Sequence, residues 1–417
     1  MKSNYKLLGD YITTVNLRNK DLKTTNLKGL SMTKEFRKST SNIIGVDLSK
    51  YKLVPKNHFA CDFMSVIRVH KLPVVHQNSD ELIIVSPAYT VFKVIDENIL
   101  NPEYLMMWFR RPEFDRYADF RCDSAIRGGF KWDELGEVEL PIPSIEKQHE
   151  IVKEYNTVAN RITLNEAINK KLEDTAQALY KNWFVDFEFP NEQGKPYKSN
   201  GGKMVYNEEL DLEIPLGWEN GCLGDLSNQF SGFSFKGDEY SFDKGISVVR
   251  GENVTEQKLR WNTHKKWYLQ LEERMKKCFL KANDIVIAMD GSKVGKNWSL
   301  ISEYELPLLL AQRVTSVRGI RENQSIYIYY SMLVMDFQNY VSQVQTGTSI
   351  PHISGSQISE FPMLIPDNSI LEMFNNYLKS VIKKSYLNTQ LNKTLENFKD
   401  LLLSKMSKVA IEKEMVC

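Results

Sequence analysis

Three short runs of this 417-residue sequence carry residue types that catalysis uses, and their spacing can be checked against the chemistry each would perform. "NPEY" at Asn101 to Tyr104 approaches the N/D-P-P-Y/F motif of adenine methyltransferases. Glu103 stands where the second proline belongs, however, and no glycine-rich cofactor loop lies upstream. The residues read better as a helix start, with Asn101 capping and Pro102 in the first position. "GSKVGKN" from Gly291 follows a strand as a phosphate-binding loop would. It has one residue too few between its glycines, and Asn297 replaces the Ser or Thr that ligates magnesium. A basic turn beside a nucleic-acid phosphate, or a plain hairpin, fits it better. "EQK" at Glu256 to Lys258 has nuclease-like E-x-K spacing without a Pro-Asp pair before it. No catalytic residue is assigned.

Metal and redox chemistry fare no better. The five cysteines are odd in number and form no C-x-x-C pair, and the six histidines are scattered. Neither a disulfide framework nor a metal site is expected. Net charge is +1, so the chain as a whole does not advertise a polyanion partner. Its distribution says more: from Lys258 to Lys281 eight Lys or Arg face only Glu272 and Glu273, interleaved with Trp261, His264, Trp267 and Tyr268. Such a mixture suits phosphate and base contact, with a solvated face as the plainer reading. No run of eighteen apolar residues occurs and the N-terminus lacks a signal-peptide core, so a cytoplasmic protein without membrane contact is expected.

The elements that would position these residues are written twice. "LPIPSIEKQHEIV" around Pro143 is answered by "MLIPDNSILEMF" around Pro366, an offset of 223. At that same offset, without a gap, "LNEAINKKLEDTAQAL" lies over "LNTQLNKTLENFKDLL". The halves also open alike, with "LGD" at Leu8 returning at Leu223. Each half reads as a globular region of short β-type runs followed by one long helix, so the expected class is α+β. The expected boundaries are a first domain at 1–143, a first spacer helix at 144–189, a linker at 190–212, a second domain at 213–366, and a second spacer helix with tail at 367–417.

Both helices have start signals, Ser144 with Glu146 and Ser369 with Glu372. Both sustain heptad spacing with charged flanks, which calls for a coiled-coil partner. From Ser144 to Asp186 such a helix would run about 65 Å at ~1.5 Å per residue. The simplest partner is the repeat itself, antiparallel, with Asn165 facing Asn392, Asn169 facing Asn388, and Leu172, Leu179, Leu395 and Leu402 continuing the seam. The alternative puts Leu164, Ile168, Leu387 and Leu391 in the seam and the asparagines beside it. Two similar domains on a rigid spacer would suit a bipartite duplex, whose equivalent major-groove faces recur about every 34 Å.

At this point a resemblance becomes specific. "LPIPSIEKQHEIV", "ALYKNWFVDFEFP", "IPLGWE" and "NDIVIAMDG" together resemble specificity subunits of Type I restriction-modification systems across essentially the whole chain, with Asn283 where that family often has Gly. The resemblance implies two target recognition domains separated by two long antiparallel helices, each domain reading one half of a split target in double-stranded DNA. It implies docking of two methyltransferase subunits, which bind S-adenosylmethionine, and of motor-nuclease restriction subunits. This chain itself would be no enzyme and would bind no cofactor. The competing readings are a self-contained DNA adenine methyltransferase and a coiled-coil adaptor without DNA.

Recognition should then rest on polar and cationic side chains presented by loops. The candidates in the first domain are Arg18, Asn19, Lys34, Arg37, Lys38, Arg68, Tyr89, Arg127 and Lys131. In the second they are Lys236, Arg250, Asn253, Lys293, Lys296, Arg313, Ser349 and His352. The aromatic stretch "ALYKNWFVDFEFP" has lost its aromatics in the repeat copy "LLLSKMSKVAI". Trp183, Phe184 and Phe187 are therefore expected as a packing anchor at the spacer end, open to sharing with a methyltransferase subunit, and not as base stackers.

Overall fold

The computed structural model describes residues 5–40, 45–122, 129–347 and 349–408. The chain divides into two compact units, Met1–Asn165 with Gln390–Cys417, and Glu166–Thr389. The two long helices, Ile145–Phe184 and Asn368–Lys405, each contribute residues to both units.

The first unit is built on a four-stranded antiparallel sheet in the order Ile12–Val15, Thr90–Val94, His58–Cys61, Val74–His76. The second is built on Ser227–Ser231, Val314–Gly319, Ile285–Ala288, Trp298–Leu300. In chain order both sheets run first, fourth, second, third, so the duplication extends through globular regions whose sequences do not betray it. A short outer pair closes each unit: Tyr5–Leu7 with Glu139–Pro141, and Glu219–Cys222 with Pro362–Ile365.

The repeated "LGD" has a packing cause. Leu8 N donates to Val138 O at 2.8 Å and Leu223 N to Phe361 O at 2.9 Å, tying each opening turn to the strand that ends the domain. A Cβ on Gly9 would stand 3.2 Å from Gly136 Cα, and one on Gly224 would stand 3.2 Å from Ser359 Cβ. Gly136 and Ser359 are themselves one repeat offset apart, so the same close approach selects the same glycine twice.

"NPEY" opens the helix Pro102–Phe109. Asn101 Oδ1 accepts the amides of Glu103 and Tyr104, at 2.8 and 3.0 Å, and Tyr104 OH donates to Pro141 O at 3.1 Å. Gln148 of the first long helix is fully buried beside it. Its Oε1 accepts Asn101 N at 2.8 Å, and its Nε2 donates to Ile99 O and Pro143 O at 2.8 and 2.9 Å. The glutamine of "EKQHEIV" thus locks the helix start onto the domain.

Each unit holds the beginning of one long helix against the end of the other. In the first, Val152 and Tyr155 share a core with Leu403 and Met406. In the second, Tyr180, Trp183 and Phe184 share one with Leu371, Phe374 and Leu378. Asparagines bridge the two helices within each unit. Asn165 Nδ2 donates to Asn392 Oδ1 at 2.7 Å, while Asn392 Nδ2 reaches Ile162 O at 3.4 Å. Asn388 Nδ2 donates to Asn169 Oδ1 at 2.9 Å, while Asn169 Nδ2 reaches Ser385 O at 3.2 Å. Every atom of the second set is one repeat offset from its counterpart in the first. Leu164, Leu387 and Leu391 are 40–50% exposed, which removes the leucine seam considered above. Leu172, Leu179, Leu395 and Leu402 are half-buried.

The first long helix stops at Phe184, five residues before the expected end at 189. Val185 N and Asp186 N both close on Lys181 O at 2.9 Å, and Phe187 takes φ +60°, so the chain turns back onto its own unit. All five aromatics of the stretch are at most 4% exposed. Phe184 meets Tyr327 at 4.7 Å and Phe374 edge-on at 4.9 Å, and Phe189 stacks on Trp218 at 5.2 Å. Trp183, Phe184 and Phe187 are packing residues of the second unit, and burial leaves no face for a methyltransferase subunit to share. The segment expected as a linker is also packed: Tyr197 stacks on Phe189 at 4.6 Å, and Met204–Asn207 forms a hairpin with Leu212–Pro215.

Two stability outcomes are expected. Phe184→Ala lowers the stability of the second unit by about 3–5 kcal/mol, seen as a lower denaturant midpoint. Asn169→Ala costs about 1–3 kcal/mol, because it leaves the Asn388 amide N–H without its acceptor, and Asn388→Ala costs less, because Asn169 Nδ2 keeps Ser385 O. Their double-mutant cycle shows a coupling of about 0.5–3 kcal/mol.

Candidate nucleic-acid interface

The structure removes three of the expected readers. Asn19 is fully buried, its Nδ2 donating to Thr24 O at 2.9 Å and Leu48 O at 3.4 Å. Asn253 is 1% exposed and donates to Arg260 O and Thr263 O at 3.0 and 3.2 Å, while its Oδ1 accepts Arg250 N at 3.0 Å. Lys34 is 4% exposed, ion-paired with Asp115 at 2.7 Å, bonded to Phe109 O, and placed over the Phe114 ring. Burial lowers the Lys34 ammonium pKa despite the opposing pull of Asp115. All three side chains organise loops or core, and a side chain bonded inside the fold has no donor to offer a base. Sequence could not separate them from free polar loop residues. Arg127 lies outside the described residues.

Other candidates remain accessible but partly engaged. Arg18 donates to Lys50 O at 2.6 Å, and Arg68 to Ser65 Oγ at 3.4 Å. Arg37 and Lys38 are exposed on the strand Phe36–Lys38, and Lys131 is exposed at the head of the short helix Trp132–Gly136. Tyr89 is half-buried; burial raises its phenol pKa, Asp62 adds to the rise and Arg37 opposes it, so these three share one electrostatic neighbourhood. In the second unit Lys236 pairs with Glu239 at 3.2 Å, and Arg250 pairs with Glu252 and lies over the Tyr240 ring.

The structure gathers Arg313 and His352 around a residue that sequence reading missed. "GSKVGK" lies in the hairpin joining Ile285–Ala288 to Trp298–Leu300, with Gly291 at φ +108° and Gly295 at φ +81°. At its base Asp290 Oδ1 bonds His352 Nδ1 at 2.6 Å, and Asp290 Oδ2 accepts from Arg313 Nη1 at 3.3 Å. Ser349 is exposed on the segment that carries His352. On the hairpin Lys293 pairs with Glu256 at 3.4 Å, and Lys296 is exposed. The only sequence signal for Asp290 was its place just before the Gly291 turn.

The basic and aromatic run from Lys258 to Lys281 is not simply a solvated face, because part of it is packed. Trp267 is 3% exposed, and Trp261 packs against a core with its ring tilted against that of His264 at 4.7 Å. His264 is held by Ser247 Oγ at 2.6 Å. Trp267 is therefore closed to bases, whereas Tyr268 is 46% exposed.

His76 bears on acid stability. It is 9% exposed, the Phe59 ring lies tilted against it at 4.9 Å, and its Nε2 is buried without a hydrogen-bond partner. Burial first, then repulsion from Arg110 and His58, pushes its pKa down to about 4. A depressed folded pKa means that the unfolded chain takes the proton first. The contribution is therefore intact above about pH 6.5 and lost as pH falls toward 4, by about 3 kcal/mol in all. His76→Gln should flatten the fall in first-unit stability between pH 6.5 and 4, measured by denaturant titration; an unchanged slope contradicts this assignment.

Residues 215–397 match the family described as Type I restriction modification DNA specificity domain. The specificity subunit of the Type I restriction enzyme MjaIX of Methanocaldococcus jannaschii is 26% identical over 314 residues, covering 75% of this chain and 70% of that protein. The HindI specificity subunit of Haemophilus influenzae is 23% identical over 371 residues, covering 76% and 79%. Among solved structures, the crystal structure of a Type I restriction-modification S subunit from M. genitalium matches with a TM-score of 0.60 at 13% identity, covering 97% of this chain and 95% of that chain. That likeness concerns the fold. No helix among the described residues is long and apolar enough to cross a membrane.

Proposed function

Because the chain belongs to the family of Type I restriction-modification specificity subunits, we propose that it is the DNA-recognition subunit of such a complex, each sheet-based domain reading one half of a bipartite target. The carrying observation is the duplicated topology: two sheets of identical strand order, each closed by the same "LGD" turn and each joined to one long helix. Two homologous readers with different loop residues suit a split target whose halves differ. Phosphate contacts would position each domain and a few base contacts would specify it.

In this reading the chain carries out no chemistry. Two methyltransferase subunits, with S-adenosylmethionine bound to them, would dock on the long helices and transfer the methyl group. Motor-nuclease subunits would complete the restricting form, in the cytoplasm where the DNA is. The exposed leucines Leu164, Leu387 and Leu391 give those helices apolar contact points that a purely solvated coiled coil would not need. The helices would also act as the spacer between half-sites. The +1 net charge suits a subunit whose partners supply much of the phosphate contact.

The test is methylation mapping in a host that expresses this chain with its methyltransferase partner. A bipartite motif with a fixed gap is expected, and the purified chain alone should transfer no methyl groups. Methyl transfer by the chain alone, or equal binding of random and cognate duplexes by the complex, overturns the reading. A seven-residue insertion in both long helices, matched by the 223-residue offset, should change the permitted gap and leave both half-site sequences unchanged.

A further inference from the structure

The strand register gives the two domains an equivalent position for a reading side chain. In the second unit Val314 pairs with Ala288, and in the first Thr90 pairs with Cys61, at the same end of matching central strand pairs. The residues just before these strand starts are Arg313 and Tyr89. One fold position thus carries two chemically different groups.

Arg313 is held there in an unusual backbone. Its φ is +72°, a conformation in which glycine would be freer, and its carbonyl accepts Met289 N at 3.0 Å. An arginine in a left-handed position costs free energy that the fold must offset, and such strain concentrates at functional sites. Its side chain is 67% exposed, so its ion pair with Asp290 adds little stability. The pair instead orients the guanidinium. Asp290 is fixed in turn by His352 Nδ1, while Gly291 N bonds Pro351 O at 3.1 Å and Ile353 N bonds Met289 O at 3.0 Å on either side. One long contact to Asp290 leaves the remaining N–H groups of the fork for an outside acceptor.

We propose that Arg313, oriented by Asp290 and His352, reads a guanine in the half-site of the second domain. A guanidinium fork presents two donors to O6 and N7 of guanine in the major groove, an acceptor pair that no other base offers there. Asp290 and His352 are positioning residues, acting through the arginine. Tyr89 at the equivalent place cannot make that bidentate contact, so the two half-sites differ here. The inference rests on the reading of this chain as a DNA-recognition subunit.

The experiment uses the full complex with its methyltransferase subunits and maps methylation for wild type, Arg313→Gly, Arg313→Lys and Asp290→Asn. Glycine suits the left-handed backbone, so Arg313→Gly removes the side chain without adding strain. It should lose discrimination at one guanine of one half-site by roughly tenfold to a hundredfold, the worth of a good bidentate contact. The other half-site serves as the internal control and stays unchanged. Arg313→Lys retains the charge without the fork and should relax the same position; Asp290→Asn should relax it partially. Absence of any bipartite motif in wild type overturns the recognition reading and this inference together. A bipartite motif that Arg313→Gly leaves intact, wild-type discrimination in Arg313→Lys, or equal loss in both half-sites overturns the inference alone.

Discussion

A helix as polar as Ile145–Phe184 is not stable in water by itself, and the structure depends on how that instability is resolved. Each unit buries the start of one long helix and the end of the other in its own core. Val152 and Tyr155 lie with Leu403 and Met406 in one, and Tyr180, Trp183 and Phe184 with Leu371, Phe374 and Leu378 in the other. Toward their middles, beside the buried Val158 and Ile162, the helices also make polar contacts.

Those contacts are the asparagine pairs. A buried amide contributes little net stability compared with an apolar side chain, but its donors and acceptors are satisfied in few alignments. Asn165 with Asn392 and Asn169 with Asn388 use the same donor pattern, down to the carbonyls of Ile162 and Ser385. A slip of one turn would break all of these bonds at once.

The candidate recognition residues obey a different logic. A loop side chain can be structural or functional with the same residue type, and what decides is whether the fold has already satisfied its hydrogen bonds. Asn19, Lys34 and Asn253 are engaged internally. Arg313 is held by Asp290 on one side and exposed on the other, the condition for an oriented outward donor.

From sequence alone one could read the duplication, the two long helices, the helix start at Asn101 and the family, because these rest on local signals: repeated spacing, caps and prolines act within a few residues. The asparagine pairing was legible as one of two arrangements, since heptad spacing brings both Asn165 and Leu164 near the seam. Only tertiary structure could choose, through the surface left exposed on Leu164, Leu387 and Leu391. The matching strand order, the burial of the aromatic stretch in one unit and the Asp290–His352–Arg313 cluster likewise needed the folded chain. They join residues tens of positions apart, and the sign of each contribution, buried or presented, is set by what the rest of the fold packs against it.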